Sequence, residues 1–199
     1  MYLPEHFNFE NKSEIISFLK EYSFATIISV KDNFPSATHL PFVIREENNA
    51  LYLISHFAKA NEQWKEITSN KTLVIFNEPN AYISPKNYDS IKNVPTWNYV
   101  SVHIYGQGEI ITSEEETIEI LKDTIGTYES DYLSQWDKLP EAFKSNLIRG
   151  IVAFKIKVTD IQAKKKASQN RTETERKRIV ENLSKSPVET ERKMATYIK

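Results

Sequence analysis

Apolar residues at Ile15, Ile16, Phe18, Leu19 and Tyr22 recur at helical spacing behind Asn11-Lys12-Ser13-Glu14. That opening resembles a capping box, with Glu14 placed to reach back to the Asn11 amide, and predicts an amphipathic helix over about 12–22. The period then shortens. Phe24–Val30 is dense in β-branched residues, and Lys31 to Pro35 reads as a turn. Ser36–Arg45 predicts a strand interrupted at Pro41, because proline cannot donate to a ladder. Ala50–Ser55 predicts another strand, and Ala58–Ser69 a short helix with Ala60, Trp64 and Ile67 on one side. Thr72–Asn77 has the apolar run of a buried strand, Ala81–Ile83 is extended, and Ser84–Val94 is a polar loop.

From Trp97 to Tyr105 the chain alternates. Val100, Val102 and Ile104 form a uniformly apolar face that should meet the core, while Trp97, Tyr99, Ser101, His103 and Tyr105 form an aromatic, polar face. Such a face suits a lined cavity or a subunit interface. Gly106-Gln107-Gly108 marks a bend. Ser113-Glu114-Glu115-Glu116 opens a helix to about Tyr128, a helical Leu139–Ile148 follows, and Gly150–Val158 is a last strong strand. Thr172 to Glu175 can cap a helix running to about Leu183, and Pro187 separates it from a final short one. Six or so mostly antiparallel strands with helices at the ends and in one long insertion predict an α+β fold built on a small barrel.

Composition removes whole classes of function. Only four glycines occur among 199 residues, at positions 106, 108, 126 and 150, so neither G-x-x-x-x-G-K-[ST] nor G-x-G-x-x-G exists. Cysteine is absent, which excludes disulfides, thiolate metal sites and cysteine nucleophiles. The four histidines (6, 39, 56 and 103) have no metal-ligand spacing, and no nucleophile elbow is present, so no metal and no catalytic residue is assigned. No apolar stretch approaches the ~18 residues of a membrane span, and the first residues lack a signal-peptide pattern, so a soluble, cytoplasmic protein is expected. Net charge is −1 but uneven: residues 160–199 carry +5 and the rest −6. A basic tail on an acidic body suits an anionic partner or a solvated helix.

Three segments place polar groups in apolar surroundings. Thr38 and Leu40 share one face of a strand, with His39 and Pro41 on the other. Ser55, His56 and Lys59 lie where a strand passes into the start of the expected helix, an arrangement able to bind an anion without glycine. In Pro95-Thr96-Trp97-Asn98-Tyr99, two large rings flank an amide, a pattern suited to a planar heteroaromatic ligand. Plainer readings are a helix cap for the second segment and ordinary core or interface for the third. Together they suggest a phosphorylated aromatic cofactor.

The order of six strings carries a resemblance: Met1-Tyr2-Leu3-Pro4-x-His6-Phe7, His39-Leu40-Pro41-Phe42, His56-x-Ala58-Lys59-Ala60-Asn61, Ala81-Tyr82-Ile83-Ser84-Pro85, Val94-Pro95-Thr96-Trp97-Asn98-Tyr99 and Lys166-Ala167-Ser168-Gln169-Asn170-Arg171. The chain resembles the PaiB family of FMN-binding transcriptional regulators from Met1 to about Arg171. The resemblance implies a split β-barrel of the pyridoxamine-phosphate-oxidase-like, FMN-binding type, over residues 1–170, with peripheral helices and a basic helical tail over 171–199. It also implies a homodimer with FMN at its interface and a negative regulatory role in sporulation and degradative-enzyme synthesis. Ser55, His56, Lys59 and Asn61 would hold the phosphate end, and Thr38, His39 and Leu40 would run beside the isoalloxazine. Trp97 and Asn98 would come from the partner chain, with Lys166, Ser168 and Gln169 nearby. The run Lys164-Lys165-Lys166 is more basic than the family pattern. DNA would be met by the tail, through Arg176, Lys177, Arg178, Arg192 and Lys193. An FMN-dependent oxidoreductase acting on a small molecule with NAD(P)H is the alternative.

Overall fold

A computed structural model describes all 199 residues. Helix α1 spans Lys12–Glu21, with Glu14 N donating to Asn11 Oδ1 at 3.1 Å. The Glu14 carboxylate pairs with Lys165 at 3.1 Å, so the cap forms while the reciprocal half of the expected box is replaced by an ion pair. Seven strands follow with their helices: β1 Phe24–Lys31, β2 Phe34–Pro41, β3 Val43–Glu47, β4 Ala50–Ala58, β5 Thr72–Ile83, β6 Thr96–Ile110, α2 Glu114–Tyr128, α3 Leu133–Lys138, α4 Glu141–Arg149, β7 Ile151–Lys166, α5 Glu173–Ser184 and α6 Glu189–Ala195. They form one sheet in the order β2-β1-β5-β6-β7-β4-β3. The fold is α+β.

Two hairpins owe their turns to residues that tolerate positive φ. Asp32 and Asn33 (50° and 63°) close β1–β2, and Asn48 and Asn49 (49° and 64°) close β3–β4. Two consecutive left-handed residues match the twist of the flanking strands. Register then runs Lys31↔Phe34 to Phe24↔Pro41 and Glu47↔Ala50 to Val43↔Ile54. The expected break at Pro41 is larger than a kink. Phe42 alone joins β2 to β3, which stand at opposite ends of the strand order with no ladder between them. The barrel is therefore split at that point. Phe42 is fully buried, and its amide donates to Ser23 O at 2.9 Å.

The chain divides into two compact units. One comprises residues 1–15, 76–103 and 162–199, the other residues 16–75 and 104–161. In the second, Phe57 stacks on Phe154 at 4.8 Å, and Phe42 meets Phe154 edge-on at 6.2 Å. Ile27, Leu53, Ile67, Val74, Ile104 and Ile156 are fully buried beside them. The core of the first unit holds Phe76, Ile83, Val100, Val102, Ile179 and Met194. The alternation over 97–105 thus falls as expected, with Val100 and Val102 inside and Trp97 54% exposed.

Three expectations are corrected. Ala58–Ser69 is not a helix: it contains a single 3-10 turn at Glu62–Lys65. The Lys59 amide donates to Gly150 O, Trp64 Nε1 to Lys59 O, and the Gln63 side chain turns inward, so tertiary bonds replace the helical series. Gly106 and Gly108 do not interrupt the strand, because β6 continues through them to Ile110. A Cβ at 106 would lie 2.4 Å from Lys157 O, and one at 108 would lie 2.7 Å from Ile67, so close approach requires glycine there. The last strand runs eight residues beyond Val158, to Lys166. At the C-terminus the capping box of α5 is complete, with Glu175 N donating to Thr172 Oγ1 and Thr172 N to the Glu175 carboxylate, both at 3.2 Å.

Candidate functional site

The predicted site residues fall in two sets, one in each compact unit. In the unit holding residues 16–75, the turn after β4 carries Asn61 and Gln63 to the inner side of β2. Thr38 Oγ1 donates to Gln63 Oε1 at 2.6 Å and accepts from Asn61 Nδ2 at 2.8 Å. Gln63 Nε2 donates to Ser36 O at 3.1 Å and to Ile27 O at 3.3 Å, while Gln63 N donates to Asn61 Oδ1 at 3.1 Å. Gln63 is buried. Thr38 and Asn61, placed at different ends of the cofactor by resemblance, are thus direct hydrogen-bond partners.

The other members of this set are spread out. His39 lies on the outer face of β2, exposed, its ring stacked at 6.4 Å on Phe24. Leu40 is half-buried opposite Ala25. Ser55 is 2% exposed and donates its only hydroxyl proton to Pro41 O at 2.7 Å, so it ties β4 to the end of β2. His56 is mostly buried, and that burial holds its imidazole below the usual histidine range, neutral at pH 7. Lys59 is exposed, and its ammonium has no carboxylate partner. With only a 3-10 turn beyond Asn61, the cationic contribution at this position comes from Lys59 and not from a helix end.

The second set surrounds the end of β7. Asn98 is 1% exposed. Its Nδ2 donates to Ser168 Oγ at 2.8 Å, and its Oδ1 is buried without a partner. Ser168 is held at φ 58°, a left-handed conformation stabilised where Ala167 N meets Gln169 Oε1 at 2.7 Å and Arg171 N meets Ser168 O at 3.0 Å. Lys166 Nζ donates to Thr96 Oγ1. Burial, with the neighbouring Lys164 charge, pulls the Lys166 ammonium below its usual range. Trp97 meets Tyr82 edge-on at 6.0 Å.

Two residues escaped the sequence reading. Gln63 is one; the available signal was a glutamine on the same helical face as Ala60, Trp64 and Ile67. Lys164 is the other, buried with its Nζ 5.5 Å from the Tyr2 and Tyr99 rings and 5.9 Å from Phe7. Nothing local to a run of three lysines distinguishes it.

Taken separately, the first set offers a cation that suits a flavin phosphate, and the second offers groups that suit a polar heteroaromatic ring. The orphaned Asn98 Oδ1 needs a donor of the kind an N–H or hydroxyl supplies. Lys59 offers an unpaired cation, and Trp97 and Tyr82 offer exposed ring faces.

Residues 1–160 match the family described as "Putative FMN-binding domain". The Bacillus subtilis (strain 168) "Protease synthase and sporulation protein PAI 2" is 40% identical over 198 residues, covering 98% of this chain and 95% of that protein. Among solved structures, the flavocytochrome Anf3 from Azotobacter vinelandii superposes with a TM-score of 0.63 at 15% identity, covering 82% of this chain and 72% of the other. A FAD- and heme-binding protein from Mycobacterium smegmatis gives 0.63 at 13% identity, covering 80% and 73%. The distant structures establish the split-barrel fold, and the near-full-length relative, together with the matched domain, establishes that this chain belongs to the flavin-binding PaiB family.

Proposed function

We propose that this chain is an FMN-loaded homodimer that acts as a negative regulator of transcription. The observation that carries the reading is 40% identity sustained over nearly the whole of a protein named for protease synthesis and sporulation. His56 and Lys59 hold the phosphate end of FMN, and the Thr38–Asn61 edge holds another part of it. Asn98, Trp97 and the segment Lys166-Ser168-Gln169 reach the flavin from the partner chain. A bound flavin supplies reversible one- and two-electron chemistry. The protein contributes an amide acceptor at Asn98, a neutral imidazole at His56 and cations at Lys59 and Lys166.

The surface of the β1–β2 hairpin supports dimerisation. Phe24, Val30 and Phe34 are 67, 45 and 73% exposed, and the edge strand β2 carries no Lys, Arg, Asp or Glu. Uncharged, aromatic edge strands are surfaces that monomers avoid. The basic tail is less available for DNA than its composition suggests. Arg178 is bonded to Asp89 at 2.5 Å and to Asn87 O at 2.9 Å, Arg176 to Arg171 O at 2.7 Å, and Lys177 pairs with Glu173 at 2.6 Å. Any phosphate contact there competes with these bonds.

The test has three readings from one preparation. Flavin bands retained after desalting, a dimer mass by light scattering and salt-sensitive binding to promoter DNA support the proposal. A flavin-loaded dimer that ignores DNA but oxidises NAD(P)H supports the oxidoreductase instead.

A further inference from the structure

We infer that Gln63 is a positioning residue: it fixes the hydrogen-bond polarity of the Thr38–Asn61 edge, so that this edge takes the uncharged part of the flavin and not its phosphate. The inference rests on the proposal that this polar set holds the cofactor. Three backbone anchors set the polarity. Both Gln63 Nε2 hydrogens go to carbonyls, Ile27 O and Ser36 O, at 3.3 and 3.1 Å, and Gln63 N goes to Asn61 Oδ1 at 3.1 Å. A carbonyl only accepts and a backbone N–H only donates, so neither amide can be turned around. Gln63 therefore presents Oε1 to Thr38, and Asn61 presents Nδ2.

The Thr38 hydroxyl lies between them with its proton committed to Gln63, at 2.6 Å, and one lone pair occupied by Asn61, at 2.8 Å. Two valences remain for a ligand: the second Asn61 N–H and one Thr38 lone pair, side by side. A phosphate dianion only accepts, so it would face that lone pair repulsively. A ligand edge carrying an acceptor beside a donor satisfies both. The isoalloxazine imide edge is one such group and a ribityl hydroxyl is another. Without Gln63, the Thr38 hydroxyl is free to rotate and donate, and the discrimination is lost. Gln63 itself is buried, 6% exposed, and acts through its two neighbours.

The test measures affinities of the apo-protein for FMN, riboflavin and lumiflavin by flavin fluorescence and absorption-band position. Thr38→Val and Asn61→Ala should each weaken FMN and riboflavin by the same factor, roughly three- to tenfold per lost bond, and shift the bound-flavin spectrum. Thr38→Ser should restore both. Gln63→Met should weaken both likewise, and the Thr38 and Asn61 variants carry the test if it does not fold. Lys59→Gln should weaken FMN alone. Thr38→Val sensitivity that persists with lumiflavin assigns the edge to the ring, and sensitivity confined to riboflavin and FMN assigns it to the ribityl chain; both uphold the inference. Loss of FMN with riboflavin spared in the Thr38 or Asn61 variants would place the phosphate on this edge and overturn it. No effect of either variant, while Lys59→Gln still weakens FMN, overturns the inference and leaves the cofactor reading standing. A wild-type chain that retains none of the three flavins overturns both.

Discussion

The two sets of polar residues differ in how complete they are. Around Thr38 the network is anchored on backbone at Ile27 O, Ser36 O and Gln63 N, and no buried atom of Thr38, Asn61 or Gln63 is left without a partner. Around Asn98 one acceptor is left over in a buried place, an ammonium is pulled down by burial, and a serine is held in the left-handed region. What the first set leaves open, one Asn61 N–H and one Thr38 lone pair, lies on half-buried side chains and not in the core. The second carries unmet hydrogen-bonding capacity, the signature of a surface completed by a ligand or a partner. A buried network that is fully satisfied contributes to stability, whereas one with an orphaned atom costs stability until something fills it.

The contrast can be broken most forcefully at Gln63. Gln63→Ala should cost about 2–3 kcal/mol of unfolding free energy in urea without any flavin, since it strips bonds from two carbonyls and from Thr38. Asn98→Ala should cost under about 1 kcal/mol in the same experiment, because the removed group includes the orphan. A cost at Asn98 equal to that at Gln63 would erase the distinction. Flavin should then reverse the order. FMN at a hundred times its Kd stabilises the wild type by about 2.7 kcal/mol, and Asn98→Ala should lose roughly half of that gain, read as a smaller thermal shift.

Acid sharpens the comparison further. Burial depresses the folded-state pKa of both His56 and His103, the latter also through the N-terminal charge. The unfolded chain then binds protons that the folded chain refuses, so stability is full above about pH 6.5 and falls as pH drops through the window beneath it. The slope is at most about 1.4 kcal/mol per pH unit for each histidine. His56→Gln should flatten the acid limb, and a further His103→Gln should flatten it again. An unchanged limb in the double variant would assign acid sensitivity elsewhere. The smallest effect belongs to Lys59→Gln. Its exposed, unpaired side chain should change stability by less than about 0.5 kcal/mol, so any larger loss in a melt would give Lys59 a structural role.

How much of this was legible in the chain depended on how local the cause was. The caps at Asn11 and Thr172 act within four residues of themselves, and both helices begin where the sequence places them. The apolar face of Val100, Val102 and Ile104 needs only the pleat to reveal it. Ala58–Ser69 failed because its backbone partners lie far away, at Gly150, Ile27 and Ser36. Gly106 and Gly108 failed for the same reason, since Lys157 and Ile67 determine what fits. The family strings singled out residues by type and order, but their bonding was beyond them. Ser55 has spent its proton on Pro41 O, and Thr38 and Asn61 are one edge.

By itself the sequence determined the strand-rich α+β class, the caps, the inward and outward faces, the absence of glycine and cysteine chemistry, and the flavin-binding family. These follow from short-range periodicity, from residue type and from the order of motifs. Only the tertiary structure decided which polar groups are already satisfied and which remain open. A hydrogen bond joins whatever the fold brings within about 3 Å, and polarity along a chain of such bonds is set by the backbone groups at its ends.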